Sequence, residues 1–162
     1  MQAGFFALIA LITLGSAIMV VTTRNLMRSA LWLILCFFGI AGIFILLQAE
    51  FLAVAQILIY VGAIAMLMIF AIMLTRGIMD PSQPRFNEQW GVVGGFAALL
   101  FVVLTFLVTR NTWPVTAGVV PPDAIQQLGR DFVGPYVVPF EVASVLLVVA
   151  MIGAIIVARE RE

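Results

Sequence analysis

The sequence predicts an all-α integral membrane protein with five transmembrane helices, and three observations lead there. Of the 162 residues, 64% are hydrophobic and 10% charged, whereas soluble domains carry roughly 25% charged and 45 to 50% apolar residues. No charge falls within 1–23, 29–49, 51–75, 89–109 or 142–158, and each window approaches or exceeds the ~20 residues that a spanning helix needs. Almost every remaining residue lies beside one of these windows, so the chain reads as a single membrane domain over 1–162.

The first helix is expected over 1–23; with no positively charged segment before it and four more spans after it, it reads as a membrane helix and not as a cleaved signal peptide. The second and third follow at about 29–49 and 51–75, and the fourth at 89–110. The segment 111–137 holds Pro114, Pro121, Pro122, Pro135 and three glycines around AIQQLG, so it predicts an irregular external loop with room for one helical turn, lying over neighbouring subunits. The fifth helix is expected over 138–158. Arg24, Arg28, Arg76, Arg85, Arg159 and Arg161 fall on one side of this layout, and only Arg110 and Arg130 on the other. By the positive-inside rule the N-terminus is then outside and the C-terminus cytoplasmic, and Trp32, Trp90, Trp113 and Tyr136 anchor span ends at the interface.

Composition also bounds the chemistry. There is no histidine, a single cysteine at Cys36 and no G-x-G-x-x-G stretch, so the chain has no ligand set for haem or an iron–sulfur cluster and no nucleotide fingerprint. No cofactor is therefore expected in this chain. All eight basic residues are arginines, dispersed and balanced by eight acids, which offers no surface for nucleic acid. A proton pump acting alone needs ionisable groups at the bilayer midplane, and the candidates are few. Glu50 precedes the third span and suits the positive end of a helix. Glu141 follows Pro139 and reads as a first-turn carboxylate; a proton path entering near the outer surface is the alternative for both acids. Gly91 and Gly95, continued by Ala98, and the ladder Ala150, Ala154 and Ala158 are small-residue stripes of the kind that lets helices approach closely in lipid.

The third span contains AQILIYVGAIAMLMIF at 55–70. On a regular helix Gln56, Tyr60, Ala63 and Leu67 share one face, and Ala55, Gly62 and Ala65 lie nearly opposite. A buried phenol and amide need polar partners, so one face should meet protein or water and the other a close helix. At ~1.5 Å per residue the run exceeds the ~30 Å hydrocarbon thickness, leaving slack for tilt or for a wider π-turn eased by Gly62. Switching between the two windings would swing residues such as Met66 or Phe70 by roughly 100°. A small residue serving only packing is the other reading of Gly62.

AEFLAVAQILIYVGAIAMLMIFAIML at 49–74 and PYVVPFEVASVLLVVAMIGAIIVARE at 135–160 resemble the small membrane subunit J, or chain 6, of respiratory complex I, the proton-pumping NADH:quinone oxidoreductase. That resemblance implies a noncatalytic subunit of a bacterial plasma-membrane complex, packed against the small K, A and H type subunits and an antiporter-like N type subunit. FMN, iron–sulfur clusters and quinone would belong to those and other partners. It further implies a third helix with a π-bulge near Tyr60 and Gly62 that gates a hydrated path toward a carboxylate of the K type subunit. Tyr60 would lend its hydroxyl to the water chain, and Met66, Ile69 and Phe70 would form its apolar plug; Glu141 matches the family's PFE pattern. Two other readings remain beside it: a small stand-alone oligomeric ion transporter using Glu141, and a purely architectural membrane subunit with a static third helix.

Overall fold

A computed structural model describes residues 2–75, 89–111, 121 and 123–159. Five of its helices are long and apolar enough to cross a membrane. They are α1 (Gln2–Thr22), α2 (Leu26–Leu46), α3 (Glu50–Leu74), α4 (Trp90–Arg110) and α6 (Val137–Ala158), with a shorter α5 (Ala124–Val133) before the last. The chain divides into two compact units, Met1–Gly118 and Val119–Glu162. Arg76, Arg85, Trp113, Pro114, Pro122 and Arg161 lie outside the described residues.

In the first unit α1, α2 and α3 run as successive hairpins. Hydroxyls inside α1 satisfy themselves on the preceding turn, as groups in hydrocarbon must: Thr13 Oγ1 donates to the Ile9 carbonyl at 2.7 Å and Ser16 Oγ to the Thr13 carbonyl at 2.9 Å. Asn25 caps α2 by accepting the Arg28 N–H at 3.1 Å. Ser29 Oγ reaches back to the Val20 carbonyl at 2.6 Å and ties the start of α2 to the end of α1. The helix begins three residues before the expected position 29 because Arg28, read as a boundary, sits in its first turn, where a long cationic side chain extends toward the interface.

Small residues let α1 and α2 meet. Ser16, Ala30 and Ala41 are buried, and a methyl added at Gly39 would run into the Thr13 hydroxyl and come within 3.1 Å of its Cβ and 3.3 Å of its Cα. At Gly42 the added methyl would reach only 3.4 Å from the flexible end of Ile9. The closest approach is therefore at Gly39.

α2 ends in a Schellman motif. The Ala49 N–H bonds the Phe44 carbonyl at 2.9 Å and the Gln48 N–H the Ile45 carbonyl at 3.0 Å, with Gln48 left-handed at φ 58°. The turn delivers Glu50 to the first position of α3, where its charge faces the helix's positive end. In α4 no residue is buried, and Arg110 in the last turn lies over the Phe106 ring at 5.2 Å.

In the second unit the segment expected as an irregular loop contains α5. Its chain then turns through residues 134–136, with the Tyr136 N–H on the Asp131 carbonyl at 2.9 Å and the Val137 N–H on the Gly134 carbonyl at 3.2 Å. This turn starts α6 at Val137, so Pro139 occupies the first turn, where a missing N–H costs nothing. Glu141 is consequently the fifth residue of the helix, beyond the first turn in which the sequence reading placed it.

Candidate functional site

The middle of α3 departs from regular winding: residues Gln56–Ala65 form a π-helix, flanked by α-helical Glu50–Ala55 and Met66–Leu74. The consequence is visible in what the helix buries. Gln56 keeps 7% of its surface and Ala65 2%, and Ala53 is buried with them. Residues nine apart on an α-helix are about 180° apart, so regular winding puts Gln56 and Ala65 on opposite sides. At about 4.4 residues per turn the same nine steps make two turns plus roughly 16°. The π-winding thus gathers Ala53, Gln56, Ala65 and the half-buried Val61, Ile69 and Ile72 into one stripe.

This corrects the face assignment drawn from regular geometry. The small stripe expected through Ala55, Gly62 and Ala65 does not form: Gly62 is exposed, Ala55 is half-buried, and Ala65 shares its side with the amide of Gln56. A methyl on Gly62 would meet only the Ile57 carbonyl, at 3.5 Å, which is ordinary contact. The wide winding accommodates a side chain there.

Tyr60 stands at the edge of the stripe, 44% exposed, with its ring edge-on to Phe37 of α2 at 5.4 Å and 66°. Met66 and Phe70 point away from α2 in the isolated chain, while Ile69 remains half-buried. The π segment therefore separates two arrangements. Within its first half a polar pair, Gln56 and Tyr60, borders α2; beyond its C-terminal end the bulky apolar Met66 and Phe70 face outward. A half-open cleft of about 310 Å3 lies between Ser29, Ala30 and Leu33 of α2 and Met68 and Ile72 of α3.

The other candidates lie apart from this helix or at its start. Glu50 opens α3, whose N-cap residue is Ala49. Gly91 and Gly95 of α4 would meet nothing within 4 Å if given a methyl, and Ala150 and Ala154 lie exposed on α6. Both stripes are open in the isolated chain. The residues missed by the sequence reading are Gly39, Thr13 and Ala53; their only signal is smallness, which every span shares.

A family model for NADH-ubiquinone/plastoquinone oxidoreductase chain 6 matches residues 16–157. The chain belongs to that family. Among its relatives, the F(420)H(2) dehydrogenase subunit J of Methanosarcina mazei is 37% identical over 164 residues, covering 98% of this chain and 92% of the relative. The NAD(P)H-quinone oxidoreductase chain 6 of Leptolyngbya boryana is 39% identical over 157 residues, with 95% and 78% covered. The chloroplast subunit 6 of Mesostigma viride is 36% identical over 152 residues, with 93% and 80% covered.

As a chain 6 protein it is a multi-pass membrane subunit of a quinone oxidoreductase, and a noncatalytic one. It has no histidine and one cysteine, itself buried, so it holds neither a histidine ligand for haem nor the four cysteines of an iron–sulfur cluster. Among the described residues no three His, Cys, Asp or Glu side chains gather at one place. Chain 6 relatives come from an archaeon, cyanobacteria and chloroplasts, so family membership does not single out the bacterial plasma membrane expected above.

Proposed function

We propose that this chain couples quinone reduction, carried out by partner subunits, to proton translocation by changing the winding of α3. The observation that carries the reading is the π segment Gln56–Ala65, which alone brings Gln56 and Ala65 to one side. Returning those nine steps to α-winding adds about 18° each, so everything beyond Ala65 turns by roughly 160°. Met66 and Phe70 would sweep across the surface they now face, and Ile69 would leave α2. The cleft beside Met68 and Ile72 supports this, because a half-helix bordered by space rotates without breaking a packed core.

The water path lies between this chain and a neighbour of the K type. Met66 and Phe70 face outward from the α1–α2–α3 unit and Tyr60, packed on Phe37 by one edge, keeps 44% of its surface open, so a conduit that they border needs its other wall from elsewhere. Tyr60 contributes a hydroxyl to the water chain, and Met66, Ile69 and Phe70 form the plug that dries it. Subunits of A, H and antiporter-like N type complete the surroundings; FMN, iron–sulfur clusters and quinone sit in partners. The relatives named for F(420)H(2) and for NAD(P)H support a donor site outside this subunit. NADH is the proposed donor and a bacterial plasma membrane the proposed location, the whole chain forming one membrane domain with its N-terminus outside. The balance of arginines, with Arg24, Arg28 and Arg159 on the cytoplasmic side and Arg110 and Arg130 outside, supports that orientation.

Glu50 and Glu141 serve best as helix-end groups. One is the first and the other the fifth residue of a span, so neither stands at the midplane where a stand-alone transporter needs its coupling carboxylate. The architectural reading draws on a separate observation, that Gly62 is not required by the π form itself. One series separates it from gating. In assembled enzyme, Gly62→Leu should strongly reduce quinone-coupled proton uptake into membrane vesicles, Gly62→Ala should reduce it less, and Tyr60→Phe mildly. Normal coupling in an assembled Gly62→Leu enzyme would leave α3 as scaffold.

A further inference from the structure

We propose that α5 is an interfacial helix whose apolar face is seated in the headgroup–acyl boundary of the leaflet at which α6 begins. The argument starts from spacing. At about 100° per residue, Ala124, Ile125, Leu128, Phe132 and Val133 of α5 fall within one arc of about 180°, and Gln126, Gln127, Arg130 and Asp131 fill the opposite arc. A helix halved in this way, with low overall hydrophobicity, lies in the plane of an interface and does not cross it.

Two structural facts hold α5 beside the start of the span. The three residues 134–136 that join α5 to the span α6 are folded tightly by hydrogen bonds from Tyr136 to Asp131 and from Val137 to Gly134. Gly134 permits this turn, since a methyl there would sit 3.1 Å from the Arg130 carbonyl. Phe132, on the apolar arc, also stacks on Phe140, four residues into the span, with ring centroids 5.7 Å apart and planes 23° apart. One member of the apolar face thus stands level with the first turn of a membrane helix. Tyr136, between them and exposed, is the residue type that favours that boundary.

The rest of the arc is open: Ile125 is 57% and Val133 79% exposed, with Leu128 half-buried. A lipid interface covers such a face along its length, whereas water would leave it bare. Charge plays little part, because Arg130 and Asp131 share the polar arc and offset each other. The seating should therefore not depend on anionic lipid.

Nitroxide labels at Ile125→Cys, Leu128→Cys, Gln126→Cys and Arg130→Cys in the assembled complex test this, after reconstitution into vesicles of phosphatidylethanolamine and phosphatidylglycerol or of phosphatidylcholine alone. The chain's one native cysteine, Cys36, is buried. Labels at 125 and 128 should favour collision with oxygen over a water-soluble nickel chelate by several-fold more than labels at 126 and 130. Their depth should be about 5 to 10 Å below the phosphates in both lipids. Equal nickel access at all four positions would overturn the proposal in favour of a loop in water. Exclusion of both reagents from 125 and 128 would overturn it in favour of a face covered by another subunit.

Discussion

Glycines in two helices of the same length behave in opposite ways. Gly39 of α2 meets Thr13 so closely that one methyl would run into its hydroxyl and crowd its Cβ and Cα, whereas a methyl at Gly91 or Gly95 of α4, spaced as a small-xxx-small pair, would meet nothing within 4 Å. Each helix has 21 residues and an apolar sequence. The difference lies in where the partner is. α2 finds its partner inside the chain, through a three-residue reverse of direction at 23–25 pinned by Asn25 and Ser29, so its glycine is used at once. α4 carries a small-residue pair at which, among the described residues, an added methyl meets nothing within 4 Å. In lipid, where apolar surface gains nothing by leaving acyl chains, such a stripe acts only once a matching backbone arrives.

That contrast can be broken by substitution. Gly39→Leu should have the largest effect, preventing α1 and α2 from crossing and abolishing accumulation of the assembled complex. Gly39→Ala should cost about 1 to 3 kcal/mol by overpacking, seen as a lowered melting temperature of the purified enzyme, with partial recovery in Thr13→Gly/Gly39→Ala. Gly95→Leu should leave the α1–α2 pair intact, readable as unchanged crosslinking between cysteines placed on those two helices, yet weaken association with partner subunits. If Gly39→Leu and Gly95→Leu acted alike on that crosslink, the distinction between internal and external faces would fail.

Smaller effects sharpen the same comparison. Asn25→Ala removes the cap that starts α2 and should cost on the order of 1 kcal/mol, or less at an exposed position. Gln48→Gly should stabilise by roughly 0.5 to 1 kcal/mol, because the left-handed position in the Schellman turn suits glycine better than a residue with a Cβ. Both are measured by thermal unfolding in detergent, and both are expected to leave quinone reduction unchanged.

The five spans were legible because hydrocarbon thickness and the absence of charge define them almost without regard to tertiary structure. α5 was not, although Ala124, Ile125, Leu128 and Phe132 carry helical spacing. The flanking prolines and the central Gly129 argue for a loop, and what outweighs them is an amphipathic pattern that needs an interface to be stable. The Gly39–Thr13 approach joins residues 26 positions apart, and nothing local marks either as a contact. In α3 the length of the run and the placement of Gly62 raised the possibility of a wider turn. The burial stripe, however, follows from which residues α2 covers, and regular geometry predicts a different one. Burial of Gln56 together with Ala65 is the feature that ties winding to packing, and it appears only when both helices are seen.

The most direct measurement is the winding of residues 56–65 in the assembled enzyme at rest and during turnover, by single-particle structure determination of both states. The account predicts a π segment with Gln56 and Ala65 on one side in one state, and an α-helix with Met66 and Phe70 swung to a new face in the other. In both states Tyr60 should face protein or water. The same winding in both states, or Tyr60 directed at acyl chains, would contradict it.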